Sequence, residues 1–212
     1  MKRNCFLFFC LLLANAVMAQ DENEQDGKGF KKENFFTGGS ISVSFFNNTF
    51  LVGGSPVFGY SIARWADLGV VANYTYTSYK DYSYYGSDDK LRQSTYGGGF
   101  FTRLFPVKFL FAQAQIEHNW IKQKYIPVNG ASIKDQVSSN SFLVGAGYTT
   151  GRNPDGKSVY GYLSILFDVL KEDNSPYVSY DYDPNTGAAR VQQVPIIRAG
   201  LIVPLFQGKN DR

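Results

Sequence analysis

The chain has 212 residues, enough for one domain or two small ones. Charged residues make up 18%, under the roughly 25% usual in soluble domains, whereas aromatics reach 17% and glycine numbers 21. That balance excludes intrinsic disorder, and a net charge of +3 is too small for a nucleic-acid footprint, so no nucleic-acid partner is expected.

The chain opens with a targeting pattern. Lys2 and Arg3 form a positive start, Cys5 to Ala14 is almost wholly apolar, and Val17-Met18-Ala19 offers small residues where a signal peptidase cuts. Residues 1–19 therefore read as a cleaved signal peptide, the apolar run being shorter than the roughly 20 residues of a membrane-spanning helix. Both cysteines, Cys5 and Cys10, leave with it, so no disulfide or thiol chemistry is expected of the mature chain. Residues 20–34 are polar and without periodicity, which reads as a flexible periplasmic leader.

From there a period of two runs to the end, the mark of half-buried strands. Ile41, Val43 and Phe45 alternate with Ser40, Ser42 and Ser44, and Phe58, Tyr60 and Ile62 form a second run. Leu68, Val70, Ala72, Tyr74 and Tyr76 make a third, then Tyr96, Phe100 and Leu104 a fourth. In the fifth, Leu110, Ala112, Ala114, Ile116 and Trp120 oppose Gln113, Gln115, Glu117 and Asn119. Phe142, Val144, Ala146 and Tyr148 give the sixth; Val159, Leu163, Ile165, Phe167 and Val169 the seventh; Ile197, Ala199, Leu201, Val203 and Leu205 the eighth.

Two kinds of connection join these eight strands. Arg64 to Asp67, Pro106 to Lys108 and Arg152 to Lys157 are short turns rich in Pro, Gly, Asn and Asp. The others are polar and mostly longer, at 79–90, 125–136 and 173–193, with a short one near Asn47-Asn48-Thr49. Short turns at one end and long loops at the other point to an all-β, eight-stranded, antiparallel up-and-down transmembrane barrel over residues 35–206, with a periplasmic tail at 207–212. A soluble barrel with its apolar face turned inward around a ligand shares this pattern. Three features favour the membrane: a polar face of Ser, Thr, Gln and Asn rather than Lys and Glu, aromatics toward strand ends, and the final segment.

That final segment, Arg198 to Phe206, resembles the terminal signal by which outer-membrane barrels are recognised for assembly, with Arg198, Gly200, Val203, Leu205 and Phe206 at the matching positions. Residues 35–206 as a whole resemble the small outer-membrane barrels typified by the OmpA membrane domain and OmpX, and the Ser55 to Tyr60 segment is similar to Bacteroidetes-type outer-membrane barrel domains. The resemblance implies a monomer in the outer membrane of a Gram-negative cell, loops outside and termini periplasmic. Its partners would be outer-membrane lipid, with barrel-assembly machinery and periplasmic chaperones during biogenesis, and an extracellular ligand at the loops. Those families include adhesins, anchors and small pores, so fold alone does not fix function.

Counted from the strand ends, Glu117, Asp168 and Arg198 come to similar heights on the inward face, which predicts a lumen cluster of these three with Gln113, Gln115 and Asn119, and Arg103 lower down. The cluster is either a satisfied plug or the gate of a narrow porin-like path. The single histidine, His118, has lipid-facing parity beside Trp120 and no His-x-Ser partner, so no enzyme is expected. Asp181, Asp183 and Asn185 alternate as calcium ligands do, but Thr186 and Gln192 replace the required Gly and Glu. A tight turn is the better reading there, and no metal or cofactor is expected. Tyr79, Tyr82, Tyr84 and Tyr85 form a candidate surface-binding loop. The leading expectation is a non-enzymatic outer-membrane barrel with a structural or surface-interaction role.

Overall fold

The computed structural model describes residues 31–46, 49–83, 86, 88–153, 158–182 and 189–207. The expected signal peptide, the leader up to residue 30 and the tail beyond Gln207 lie outside them. After a short 3-10 turn at Lys32–Asn34, eight strands close into a ring: β1 (Phe35–Phe46), β2 (Thr49–Ala63), β3 (Ala66–Lys80), β4 (Lys90–Val107), β5 (Leu110–Ile126), β6 (Ile133–Thr150), β7 (Tyr160–Asp168) and β10 (Ile196–Pro204). Each ring strand pairs antiparallel with its neighbour, and β10 closes on β1 through partners such as Gly200 and Ser40. An additional hairpin, β8 (Val178–Tyr182) and β9 (Ala189–Gln193), forms a separate two-stranded sheet.

Each of the eight expected runs coincides with one ring strand, with Val159, Val169 and Leu205 just past the strand ends, whereas the β8–β9 hairpin lies in a stretch expected to be loop. Its two strands are five residues each, too short for periodicity to show. Two of the three long connections are also shorter than expected, while the one between β7 and β10 spans 169–195. β4 already begins at Lys90, and β5 and β6 stay paired to Tyr125 and Ile133. Polar residues dominate there, so the strands continue where the apolar alternation has stopped. The last strand ends early instead. Pro204 has no N–H to donate, β10 stops there, and Phe206 lies beyond it with φ of 54°, its ring 6.4 Å from Phe35.

Burial shows which face points outward. Ile41, Leu68, Val70, Phe100, Ile116, Leu163, Ile165, Ile197 and Leu201 are exposed, while Ser40, Ser42, Thr75, Gln113, Gln115, Ser141 and Ser164 are buried inside. The polarity is the reverse of a soluble carrier. Aromatics gather at both edges of the apolar belt. Phe35, Phe58 and Tyr60 cluster at the turn end, with Phe109 beside Tyr148, while Tyr74, Tyr96 and Trp120 form a cross-strand row toward the loops. Leu110 and Trp120 stand ten residues apart on β5, which at about 3.3 Å per residue and a tilt near 40° makes a belt roughly 25 Å tall.

The turn-end half of the interior holds Phe36, Val57, Val71, Phe101, Phe105, Phe111, Tyr160, Tyr162 and Ile202. Four of these rings lie over directly paired glycines: Phe36 on Gly59, Phe101 on Gly69, Phe111 on Gly147 and Tyr162 on Gly200. A Cβ on Gly69 would stand 2.6 Å from both the Phe101 ring and the Phe58 carbonyl oxygen. The glycines are what make room for large rings in so narrow a ring of strands. Gly69→Val should therefore destabilise the barrel by about 1–3 kcal/mol in urea unfolding from detergent. Gly54→Ala, where the nearest atom is 4.0 Å away, should change little.

Candidate functional site: a polar column inside the barrel

β5 carries the column, because its alternate residues Gln113, Gln115, Glu117 and Asn119 all face inward above Phe111. At its centre Arg198 of β10 reaches across the lumen to Glu117, Nη2 to Oε1 3.1 Å, and its Nη1 donates to Gln115 Oε1 at 3.2 Å. The two strands are separated in the ring by β7 and β6, so only a side chain as long as arginine spans the gap. Both charges are buried, at 4% and 1% exposure, and such a pair is tolerable only when its remaining polar atoms find partners.

Glu117 has them. Gln115 Nε2 donates to Oε1, and Oε2 accepts from Tyr177 OH at 2.9 Å, Asn73 Nδ2 at 3.2 Å and Asn119 Nδ2 at 3.4 Å. Downward the chain continues from Gln115 to Gln113 (2.8 Å) and from Gln113 to Arg103 Nε (2.9 Å). The Arg103 guanidinium sits among the rings of Tyr162, Phe101 and Phe111, 4.4–5.2 Å from their centroids, so cation–π attraction offsets part of its desolvation.

The expected Asp168–Arg198 contact is not made. Arg198 pairs in the ladder with Ser164, and Asp168 stands four residues further along β7, roughly 13 Å away along the strand. The stagger that closes a barrel offsets neighbouring strand ends, and β10 ends at Pro204 rather than Phe206, so equal distances from the ends are not equal heights. Asp168 instead accepts from Phe142 N and Leu170 N, both at 3.1 Å, and from Ser175 Oγ at 2.6 Å. It belongs to the same column through Ser175, Ser141 and Asn119 rather than through charge pairing.

Tyr177, Ser175 and Asn73 complete the column; alternation along β3 already gives Asn73 inward parity, but the sequence carries little warning of the two loop residues. Ser175 and Tyr177 belong to the segment after β7, which folds down into the mouth. There Tyr177 joins Leu143, Leu166 and Ile196 in a small apolar cap over the column. A loop tyrosine carries no periodicity, so its inward turn is a tertiary event. Burial, and then the Glu117 carboxylate beside it, push the Tyr177 hydroxyl above its ordinary pKa, which keeps it a hydrogen-bond donor. At the other end Asp67 is buried against Ser61 Oγ (2.8 Å) with Arg152 at 3.9 Å, and Arg152 covers Phe105.

The remaining candidates separate. Tyr79 is part of β3, its hydroxyl 3.5 Å from Gln93 inside the mouth. Tyr82 is exposed, with its ring near Tyr79 and Tyr125, while Tyr84 and Tyr85 lie outside the described residues. So does most of the Asp181–Gly187 turn. His118 faces outward, edge-on to Trp120 and 2.8 Å from Asn140 Oδ1.

No family model and no curated protein matches the chain. Among solved structures it is similar to Neisserial surface protein A, at 16% identity over 81% of this chain and 97% of that one, with a TM-score of 0.40. It is also similar to the transport unit of the autotransporter AIDA-I from Escherichia coli, at 16% identity over 89% and 70% of the two chains and a TM-score of 0.35.

Arg198→Ala would leave Glu117 buried without its cation and should cost roughly 3–5 kcal/mol in detergent unfolding. Adding Glu117→Gln should recover part of that loss, whereas adding Asp168→Asn should recover none. Tyr177→Phe should cost only about 1 kcal/mol, yet it should speed proteolysis within the 169–193 segment, read as loss of full-length protein on gels.

Proposed function

We propose that this chain is an integral outer-membrane barrel, neither an enzyme nor an open pore, with a structural or surface-interaction role. The observation that carries the reading is inverted polarity: an apolar belt outside, bounded by aromatic rows, around a polar interior. A belt roughly 25 Å tall matches the lipid-facing band of outer-membrane barrels. In water so much contiguous exposed apolar surface would drive aggregation.

The interior supports a plug rather than a path. Aromatic rings fill the turn-end half, the Arg198–Glu117 column fills the middle, and Tyr177 with Leu143, Leu166 and Ile196 caps the loop end. The gap between Tyr177, Arg198 and Ser42 amounts to about 20 Å³, close to the volume one water needs. Enzymatic chemistry has no support in the arrangement around His118, whose described partners are Asn140 and Trp120. With the short turns periplasmic, the termini lie there too and the long connections face the outside. The closing strand β10, with Leu205 and Phe206 after it, would carry the recognition by barrel-assembly machinery.

Two measurements test this. The folded protein should migrate faster than its boiled form on detergent gels and should give no discrete conductance steps in planar bilayers. Detergent-free solubility would overturn the membrane assignment, and regular steps would replace the plug with a pore.

A further inference from the structure

Above the Tyr74–Tyr96–Trp120 row, β4, β5 and β6 continue past the belt, and their outward face changes character. Register places Arg92 opposite Lys124 and Lys124 opposite Lys134, three cations side by side on neighbouring strands. Lys122 stands one row below, between Ser94 and Gln136, with its ammonium 5.6 Å from the Tyr96 ring centroid. Lys80 and Lys90 face each other one row above. These rows present no carboxylate outward. Asp135 alternates to the other face and accepts from the Gln136 amide at 2.7 Å, Asp89 is buried against Ser83 and Tyr125, and Asp81 and Asp88 stand in the loop beyond. Arg92, Ser94, Lys122, Gln123, Lys124, Lys134, Asp135 and Gln136 line one open groove of about 560 Å³, so four cations stand in its lining against one carboxylate.

Like charges directly opposite each other weaken a sheet, and strands lie about 4.8 Å apart, so three cations fall within roughly 10 Å. Such a row is favourable once an anion of matching extent lies across it. Its depth says where the anion comes from. The cations stand two to four residues beyond the aromatic row, roughly 5–10 Å above the belt, which is the thickness of a bilayer's headgroup layer. They face the surrounding leaflet rather than the lumen, and Trp120, Ile116 and Phe100 stand exposed beneath them, ready for acyl chains.

We propose that this groove binds the headgroup of a membrane lipid carrying more than one phosphate, with Arg92, Lys124 and Lys134 on the phosphates and Lys122 at the edge of the aromatic row. The inference rests on the barrel being inserted in a membrane, so its test separates the two. Wild type and the triple variant Arg92→Gln/Lys124→Gln/Lys134→Gln would be placed in phosphatidylcholine nanodiscs doped with diphosphoryl lipid A. Lipid retention is read by native mass spectrometry, and folding by heat-modifiable migration. The variant should insert and migrate as wild type does but retain the diphosphoryl lipid roughly a hundredfold more weakly, at about tenfold or less per charge removed. Equal retention by the two proteins, or equal retention of a fully dephosphorylated analogue, overturns the inference and leaves the barrel reading standing. If free inorganic pyrophosphate raises the unfolding temperature as the lipid does, the site is for a soluble phosphate and the lipid assignment fails. Failure of both proteins to insert at all overturns the membrane reading itself.

Discussion

Closing only eight strands into a ring leaves an interior just wide enough for side chains, and everything else in the structure follows from filling it. A buried Arg198 is tolerable in that space because Glu117 faces it at 3.1 Å and Glu117 is itself held by Gln115, Asn73, Asn119 and Tyr177. Removing either charge strands the other at a desolvation cost larger than the net worth of one hydrogen bond. The column is therefore a unit. It ties β3, β5, β6, β10 and the segment after β7 together across the lumen, where no backbone ladder reaches.

The lower half solves the same spatial problem with apolar groups. Large rings and glycines share the inner wall, four of the six rings lying on the glycine of a neighbouring strand. Arg103 joins the two regimes, with its Nε on Gln113 and its plane among three rings. The result is a barrel braced from within, with its apolar side chains spent on the outside.

The wall is not of even height. β4, β5 and β6 have 17 or 18 residues, whereas β7 and β10 have nine. The tall side rises past the aromatic row and carries the paired cations outward. On the short side the chain after β7 turns inward instead and becomes the cap. Both features come from one asymmetry in strand length, and they give the loop end a charged outer flank and a closed mouth.

The sequence by itself determined the number of strands in the ring, the two faces into which their residues divide, and the presence of Arg198, Glu117 and the β5 glutamines on one face. All of these depend on a local period of two, which the ring strands display over nine residues or more. Tertiary structure decided which face met the outside, since alternation is symmetric between a membrane barrel and a soluble one. It also decided the pairings. The stagger between β7 and β10 set Asp168 apart from Arg198, and it is a property of ring closure that neither strand encodes alone. The inward turn of Tyr177 and the side-by-side placing of Arg92, Lys124 and Lys134 have the same origin: residues far apart in the chain meet only once register is fixed.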